Sequence, residues 1–224
     1  MQNPAGNMQT TAYDQLRDMI IHAELIPGEK ISEATLMTQL RLGRTPLREA
    51  MIQLRQQGLV EMIPQSGTYI TKIDLTVAED ARFVREVLER RIVKEAIQAH
   101  SATLLTTLKS LIAQAEVMSE TRDPRAFFQF DNDFHHALFQ AANKDTVWQW
   151  LQSLNMQLDR FRWLRLSVTA LDWKTIIAQH QEILQAVAAG DAAAGEKLVG
   201  QHLKLMLEEE GSLLKQYPDY FVAR

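Results

Sequence analysis

The chain has 224 residues, of which 46% are hydrophobic and 23% charged, and its formal net charge is −4 with a pI near 5.9. This length and balance predict two small globular domains, and the lack of any apolar run of about 18 residues excludes a membrane-spanning helix. Cysteine is absent, which excludes disulfides and thiolate metal sites and leaves His, Asp and Glu as possible metal ligands. The first ten residues also lack the features of a secretory signal, so we expect a cytoplasmic protein.

The N-terminal part predicts three helices. In "TAYDQLRDMIIHAEL" apolar residues recur at helical spacing, and a Pro-Gly turn follows at 27–28. Ser32 is a good N-cap for a second helix in "SEATLMTQL". In "GRTPLREAMIQLRQQGLV", Thr45 predicts the cap of a third helix with Pro46 at its first position, and Gly58 predicts its end.

The next segment, "LVEMIPQSGTYITKI", predicts two strands joined by a loop at "PQSG", where Gly67 suits the loop tip. The residues that suit the strands are Val60, Met62, Tyr69, Thr71 and Ile73. This order of elements, three helices followed by a hairpin, is typical of a winged helix-turn-helix. In that fold the third helix enters the major groove of DNA and the hairpin reaches the backbone or the minor groove.

Positive charge is concentrated around the third helix of an otherwise acidic chain. The arginines are Arg41, Arg44, Arg48 and Arg55. A solvated helix face is one interpretation of this cluster. The position of the cluster in the predicted fold favours a DNA-contacting surface instead, because Arg44 and Arg48 are four residues apart and share the face opposite the apolar stripe. They also lie at the end that a recognition helix presents to bases.

The stretch "TPLREAMIQLRQQGLVEMIPQSGTYI", with "PGEKISE" before it, resembles the DNA-binding domain of the GntR family of bacterial transcription regulators. In that family the arginine before Thr-Pro, the threonine, the arginine of "REA" and the wing-tip glycine contact DNA. The resemblance implies the same contacts for Arg44, Thr45, Arg48 and Gly67. The departure is Gly43, where the family usually has a serine that can cap the helix, so Thr45 would have to cap it alone.

The remainder of the chain has a helical pattern, and no strand pattern follows residue 75. Asp123-Pro124 predicts the start of one helix, Gly190 the end of another and Asp191 the cap of the next. The segment "DTVWQWLQSLNMQLDRFRWLRL" predicts one long amphipathic helix.

The predicted fold class is therefore mainly α, with two domains. An N-terminal winged helix-turn-helix occupies residues 8–73, and a C-terminal all-α bundle of about six helices occupies residues 79–217. The segment from Asp74 to Glu79 joins them and is predicted to be a hinge.

Three histidines and one aspartate in the helical part suit a metal site. Asp131 and His135 are i and i+4, so both side chains project from one helix face, while His180 and His202 lie on the apolar faces of two later helices. Three imidazoles and one carboxylate suit a divalent transition metal. The alternative is that each histidine lies at the edge of the core with a local hydrogen bond. His136 points about 100° away from His135 and is expected to be structural.

The segment "FDNDFHHALFQAAN" resembles the signature of the FCD domain, the all-helical effector domain of the FadR subfamily and its VanR-like members. That domain has a D-x-x-F-H helix, then a histidine about 45 residues on and another about 22 further, and the gaps between His135, His180 and His202 are 45 and 22. The resemblance implies a zinc, nickel or manganese site made by Asp131, His135, His180 and His202.

The same resemblance implies that a small organic acid completes the coordination with its carboxylate. Arg85 resembles a family arginine that lines the effector pocket. Among the arginines of residues 160–165, Arg162 is our choice for a second effector contact. For both residues, a surface position is the alternative.

These observations predict a DNA-binding transcription regulator, expected to be a repressor, that responds to a small carboxylate. It should bind a palindromic double-stranded DNA operator as a homodimer, since one winged domain offers few base contacts, and no membrane partner is expected. A regulator that senses the metal itself and a metalloenzyme with a nucleic-acid-binding appendage are the alternatives. No enzyme activity is expected, because Asp133 is poorly placed as a general base and no nucleophile motif is present.

Overall fold

The computed structural model describes residues 4–167, 172–204 and 210–223, with side chains from residue 12 onwards except that of Ser167. The chain divides into two compact units. The first unit comprises Met1–Ala78, Met156–Leu164 and Leu213–Arg224, and the second comprises Glu79–Asn155 and Arg165–Ser212. Within the described ranges, no helix combines the length and the apolar character that a membrane span requires.

The N-terminal part of the first unit is a winged helix-turn-helix, as predicted. Its elements are α1 (Pro4–Ile21), β1 (Lys30–Ile31), α2 (Glu33–Leu40), α3 (Arg44–Gln56), β2 (Val60–Ile63) and β3 (Gly67–Ile70). The strands form an antiparallel sheet in the order β1-β3-β2, with Lys30 opposite Tyr69 and Val60 opposite Ile70. Strand β1 was not predicted, because two residues are too few to show an alternating pattern.

Helix α3 begins two residues earlier than predicted, at Arg44 and not at Pro46. Gly43 is its N-cap in an extended conformation, and no side chain caps the helix. The prediction that Thr45 caps the helix was therefore wrong. Pro46 falls at the third helical position, where its missing N–H is one that the first turn leaves without an intrahelical partner. Thr45 is exposed on the first turn, and its hydroxyl is not used for capping.

The apolar face of α3 fixes the orientation of its arginines. The residues that α3 buries are Leu47, Ala50, Met51 and Leu54. They pack with α1, whose Leu16 and Ile20 are each 1% exposed. Since Arg44 and Arg48 lie on the opposite face, the packing of the core holds both side chains in solvent.

Two later segments of the chain complete the first unit. Arg160, 1% exposed, donates from its guanidinium to the Thr71 carbonyl oxygen at 2.5 Å and to the Thr71 hydroxyl at 3.2 Å. Ile73 forms a parallel bridge with Phe221, in which the Ile73 N–H donates to the Tyr220 carbonyl at 2.8 Å. The stretch that follows the wing is therefore held by hydrogen bonds from the Arg160 guanidinium and by a backbone hydrogen bond to the C-terminal segment.

The rest of the described chain is helical. The helices are α4 (Leu75–Gln98), α5 (Ala102–Thr121), α6 (Pro124–Ala141), α7 (Asp145–Leu154), α8 (Met156–Ser167), α9 (Trp173–Ala189), α10 (Ala192–Lys204) and α11 (Glu210–Gln216). In the second unit α5 packs against α6 and α9, and α9 packs against α10. Asp123 caps α6 ahead of Pro124, Gly190 ends α9 with a positive φ, and the Asp191 carboxylate accepts from the Ala194 N–H, as predicted.

One prediction about these helices was wrong. The segment predicted as one long helix breaks at Asn155, a residue type that favours helix ends, and forms α7 and α8. The segment predicted as a hinge, Asp74 to Glu79, is helical from its second residue, because the Asp74 carboxylate accepts from the Thr76 and Val77 N–H groups and caps α4.

Candidate functional site

Three helices of the second unit bring four possible metal ligands together. Helix α6 carries Asp131 and His135, α9 carries His180 and α10 carries His202. One donor atom from each lies within 4.8 Å of all the others. Asp131 Oδ1 lies 3.3 Å from His180 Nε2, 3.9 Å from His135 Nε2 and 4.0 Å from His202 Nε2. The structure thus brings together the four residues that were predicted as ligands.

The other ring nitrogen of each histidine faces an acceptor. His180 Nδ1 lies 2.9 Å from the Ile176 carbonyl, and His202 Nδ1 lies 2.8 Å from Gln179 Oε1. His135 Nδ1 contacts Glu89 Oε2. A proton on each Nδ1 would satisfy these acceptors and would leave the lone pair of Nε2 facing the centre. Partners of this kind around a metal site orient its histidine ligands.

The three Nε2 atoms face one another in a buried space. His135 Nε2 lies 3.3 Å from His202 Nε2, and His180 Nε2 has no hydrogen-bond partner among the described residues. Burial lowers the pKa of His135, and burial together with the neighbouring histidines lowers the pKa of His202 well below its usual value. The lowered pKa values favour the neutral imidazole, which is the form that binds a metal.

The dimensions of the cluster fit one divalent ion. A Zn–N bond is about 2.0–2.1 Å long, so ligand atoms on one ion lie about 3–4 Å from each other. The distances from Asp131 Oδ1 to the three histidines fall in this range. The donor set and the spacing agree, so these residues can hold a transition metal ion.

Aromatic side chains enclose the cluster. The Phe134 and His180 rings meet edge to face with centroids 4.4 Å apart, and Phe130 meets His180 at 5.2 Å. Phe130 and Phe134 are fully buried. Their apolar surface lowers the local dielectric constant, which strengthens the attraction between the polar groups and any bound ion.

Sequence reasoning missed Glu89. Its side chain, 1% exposed, accepts from Arg85 Nε at 2.5 Å through Oε1 and contacts His135 Nδ1 through Oε2. Burial alone would raise the pKa of Glu89, but Arg85 and His135 hold that pKa well below its usual value. The i,i+4 spacing of Arg85 and Glu89 was the available signal, although it does not show that the pair faces a histidine on α6.

The structure assigns different positions to the two arginines that were predicted to bind the effector. Arg85 lies beside the cluster, with its Nη2 atom 3.9 Å from Asp131 Oδ2. Arg162 belongs to the first unit, where it is buried and donates to Asp159 Oδ1 at 2.5 Å. Arg85 is therefore the candidate that the geometry supports directly.

Two other polar residues of α6 lie apart from the cluster. His136 Nε2 lies 2.6 Å from Asp145 Oδ1, and its ring stacks on Trp148 with centroids 5.0 Å apart. Asp133 accepts a hydrogen bond from Gln129 on the exposed side of α6. Neither residue belongs to the metal cluster of the described chain.

The start of α3 forms a second candidate site, for nucleic acid. Arg44, Thr45 and Arg48 are all exposed. Among the described residues, nothing forms an ion pair or a side-chain hydrogen bond with Arg44 or Arg48. Exposed guanidinium groups at the start of a recognition helix are suited to base edges and phosphates.

Gly67 lies where the wing turns back into β3. Its φ of +138° is a conformation that L side chains rarely adopt. A Cβ atom at this position would also lie 2.6 Å from Cε of Lys30. The wing tip therefore requires glycine for its backbone conformation, whereas the flexible end of the Lys30 side chain can move away from a Cβ atom.

A winged helix with exposed arginines and an all-helical second unit together define a two-part DNA-binding regulator. The family model described as "Bacterial regulatory proteins, gntR family" matches residues 8–70, and the model described as "FCD domain" matches residues 80–205. The chain belongs to the GntR family of bacterial transcriptional regulators, in the group that carries an FCD domain.

Known proteins of this class are similar along nearly the whole chain. The "HTH-type transcriptional repressor RspR" of Escherichia coli is 27% identical over 219 residues, which cover 98% of this chain and 96% of that protein. A regulator of Streptomyces ambofaciens, described as lying in an unstable DNA locus, is 30% identical over 93% of this chain and 87% of its own length. The solved structure of E. coli McbR/YncC superposes with a TM-score of 0.79 at 17% identity, covering 97% of this chain and all of that one, and so shares the fold.

Proposed function

We propose that this regulator is a repressor that senses a small carboxylate at a divalent metal ion in its helical part. The observation that carries the proposal is the convergence of three Nε2 atoms and one carboxylate oxygen on a single buried point. We assign DNA binding to residues 8–73 and sensing to residues 79–217. The name of the similar protein RspR, a transcriptional repressor, supports the direction of control.

The proposed ligands of the metal are Asp131, His135, His180 and His202. Imidazole nitrogens with one carboxylate suit zinc, nickel or manganese. When bound, such an ion supplies a positive centre with coordination positions that an anionic oxygen can occupy. The protein orients the four ligands and keeps the surroundings apolar.

The charges around the centre favour a small carboxylate as the effector. A divalent ion and Arg85 together carry three positive charges, and Asp131 and Glu89 together carry two negative charges. A single effector carboxylate would neutralise the remaining positive charge. Arg85 is the proposed partner for the oxygens of this anion, since guanidinium and carboxylate groups match in geometry. Arg162, which donates to Asp159 in the structure, remains the second proposed contact for the effector carboxylate.

The proposed DNA target is a palindromic operator bound by a homodimer. Arg44, Thr45 and Arg48 would enter the major groove, and Gly67 at the wing tip would approach the backbone. Each winged unit presents only a few base-reading side chains, so two copies on two half-sites supply the required specificity. Effector binding would change operator affinity through a coupling of about 1–3 kcal/mol, or roughly 5–150-fold.

A second candidate function is a regulator that senses the metal itself. The cluster offers four protein donors, which is enough to complete a tetrahedral zinc site without any effector. A direct comparison of the metal-loaded protein with and without a carboxylate separates the two functions. A metal sensor would change its operator affinity on metal binding alone.

Metal analysis and a thermal-shift screen test the proposal. Protein purified without a His tag is incubated with zinc, nickel or manganese, and the bound metal is counted per chain. The loaded protein is then heated with a series of small carboxylates, with and without a chelator. The proposal expects one ion per chain and an acid-dependent rise in the melting temperature that the chelator abolishes. A metal content near zero, or a carboxylate shift that persists after complete removal of metal, would contradict it.

A further inference from the structure

Glu89 is a buried carboxylate placed between a cation and a histidine. It lies on α4, is 1% exposed, and uses both oxygens: Oε1 accepts from Arg85 Nε at 2.5 Å, and Oε2 contacts His135 Nδ1. Burial of an ionised carboxylate is costly unless charged or hydrogen-bonding partners compensate for lost water. Glu89 has one charged partner, Arg85, and one hydrogen-bonding partner, His135. Both compensate for the water that its carboxylate loses on burial.

The contact with His135 determines which ring nitrogen can act as a ligand. A carboxylate oxygen against Nδ1 favours the tautomer that carries its proton on Nδ1. The lone pair then lies on Nε2, the atom that points to Asp131 Oδ1 at 3.9 Å and to His202 Nε2 at 3.3 Å. Without the carboxylate, the neutral ring could place its proton on Nε2 and would no longer offer a lone pair to the centre.

The contact with Arg85 directs a positive charge towards the same centre. Because Nε of Arg85 is bound to Glu89, the guanidinium plane is held with Nη2 at 3.9 Å from Asp131 Oδ2. One carboxylate thus holds a proposed metal ligand and the cation that faces another proposed ligand. An anion that binds the ion would meet Arg85 in an orientation that Glu89 has set.

We propose that Glu89 is a positioning residue that holds His135 as an Nε2 ligand and directs Arg85 to the effector side of the metal centre. The inference rests on the proposed function, since it assigns Glu89 a role at that site. Both metal affinity and carboxylate affinity then depend on a residue that contacts neither the metal ion nor the effector carboxylate.

The variant Glu89→Gln tests this role, and Glu95→Gln is the matched control. Glutamine keeps the shape but offers one acceptor oxygen to two donors, so its NH₂ group must face either Arg85 or His135. Glu95 lies on the same helix and accepts from Arg91 at the same i,i+4 spacing, 2.8 Å, but this pair is more exposed and has no histidine. Zinc affinity is measured by competition with a chromogenic chelator. We expect a loss of about 10–100-fold for Glu89→Gln and no change for Glu95→Gln.

The tautomer of His135 can be measured separately from the stability of the protein, and a general loss of stability would not change it. ¹⁵N NMR of metal-free, histidine-labelled protein distinguishes Nδ1–H from Nε2–H, with the His135 signals assigned by comparison with His135→Asn. The wild-type protein should show the Nδ1–H form, and Glu89→Gln should gain the Nε2–H form. If Glu89→Gln does not fold, the wild-type spectrum alone decides, because an Nε2–H form there overturns the inference.

The results separate this inference from the proposed function. If wild-type protein binds no metal, the proposed metal site is wrong, while the spectrum of the metal-free protein still reports whether Glu89 sets the tautomer. If wild-type protein binds zinc and Glu89→Gln binds it equally well, the role of Glu89 is wrong and the metal site stands.

Discussion

His135 Nε2 lies 3.3 Å from His202 Nε2, although the two residues are 67 positions apart and lie on different helices. Each ring faces an acceptor with its Nδ1, and a proton there leaves a lone pair on Nε2. A cation bound by both lone pairs would tie the two helices together. Metal binding at the proposed site would therefore stabilise the helical part.

The His202→Ala variant should lose the stabilisation that a metal gives. Binding to the folded form alone adds about 2.7 kcal/mol to the free energy of unfolding when the free metal is 100 times the dissociation constant. The wild-type melting temperature should rise with zinc, and that of His202→Ala should not. His136→Ala is the control, because His136 pairs with Asp145 outside the cluster. An equal zinc-induced rise in wild type and His202→Ala would contradict the assignment.

Replacing Arg48 with alanine should cost about 1–3 kcal/mol of operator binding if its guanidinium reads a guanine edge. The operator is first selected from random duplexes with the wild-type protein, and affinity is measured by fluorescence anisotropy at a fixed salt concentration. Arg55→Ala is the control, since Arg55 is exposed in the last turn of the same helix, away from its start. The assignment fails if Arg48→Ala binds the operator as tightly as wild type.

The Gly67→Ala variant should be less stable by roughly 1–3 kcal/mol, because alanine is strained at a φ of +138°. Most of this loss comes from the backbone, because the contacted Cε atom of Lys30 lies near the end of a flexible side chain that can move. Adding Lys30→Ala should recover the steric part only, so a double-mutant cycle of unfolding free energies separates the two. Full recovery in the double variant would show that the backbone conformation carries no cost.

Phe221→Ala should destabilise the first unit by about 3–5 kcal/mol, the usual cost of removing a buried phenylalanine. Phe221 is 3% exposed and bridges Ile73, whereas the next residue, Val222, is 46% exposed. Val222→Ala should therefore change the free energy of urea unfolding by less than about 0.5 kcal/mol. Equal effects of the two substitutions would mean that the C-terminal segment is not part of the folded unit.

The winged part shows how far a sequence pattern predicts a fold. The apolar stripe of α3 placed Arg44 and Arg48 on the exposed face without knowledge of the structure, because burial of one helix face determines the other. The cap of α3 could not be predicted in the same way. Glycine at position 43 adopts the extended N-cap conformation with its backbone alone, and this leaves no signal in a side chain.

The metal cluster shows a different limit. The i,i+4 spacing of Asp131 and His135 predicts a shared face, and the apolar faces around His180 and His202 made these residues candidates. The resemblance to the FCD domain was needed to favour one site over separate histidines, since loops between helices carry no distance information. Glu89 could not be found from spacing, because its role depends on how α4 faces α6. The first unit also takes in residues 156–164 and 213–224, a long-range arrangement that local periodicity does not encode.

The most direct test of the account is operator affinity measured during a carboxylate titration. Metal-loaded wild-type protein on a fluorescent operator duplex should lose affinity by roughly 5–150-fold as the acid identified in the thermal-shift screen is added. The same titration with metal-free protein, or with His202→Ala, should show no change in affinity. An acid that binds the metal-loaded protein tightly but leaves operator affinity unchanged would contradict the central claim.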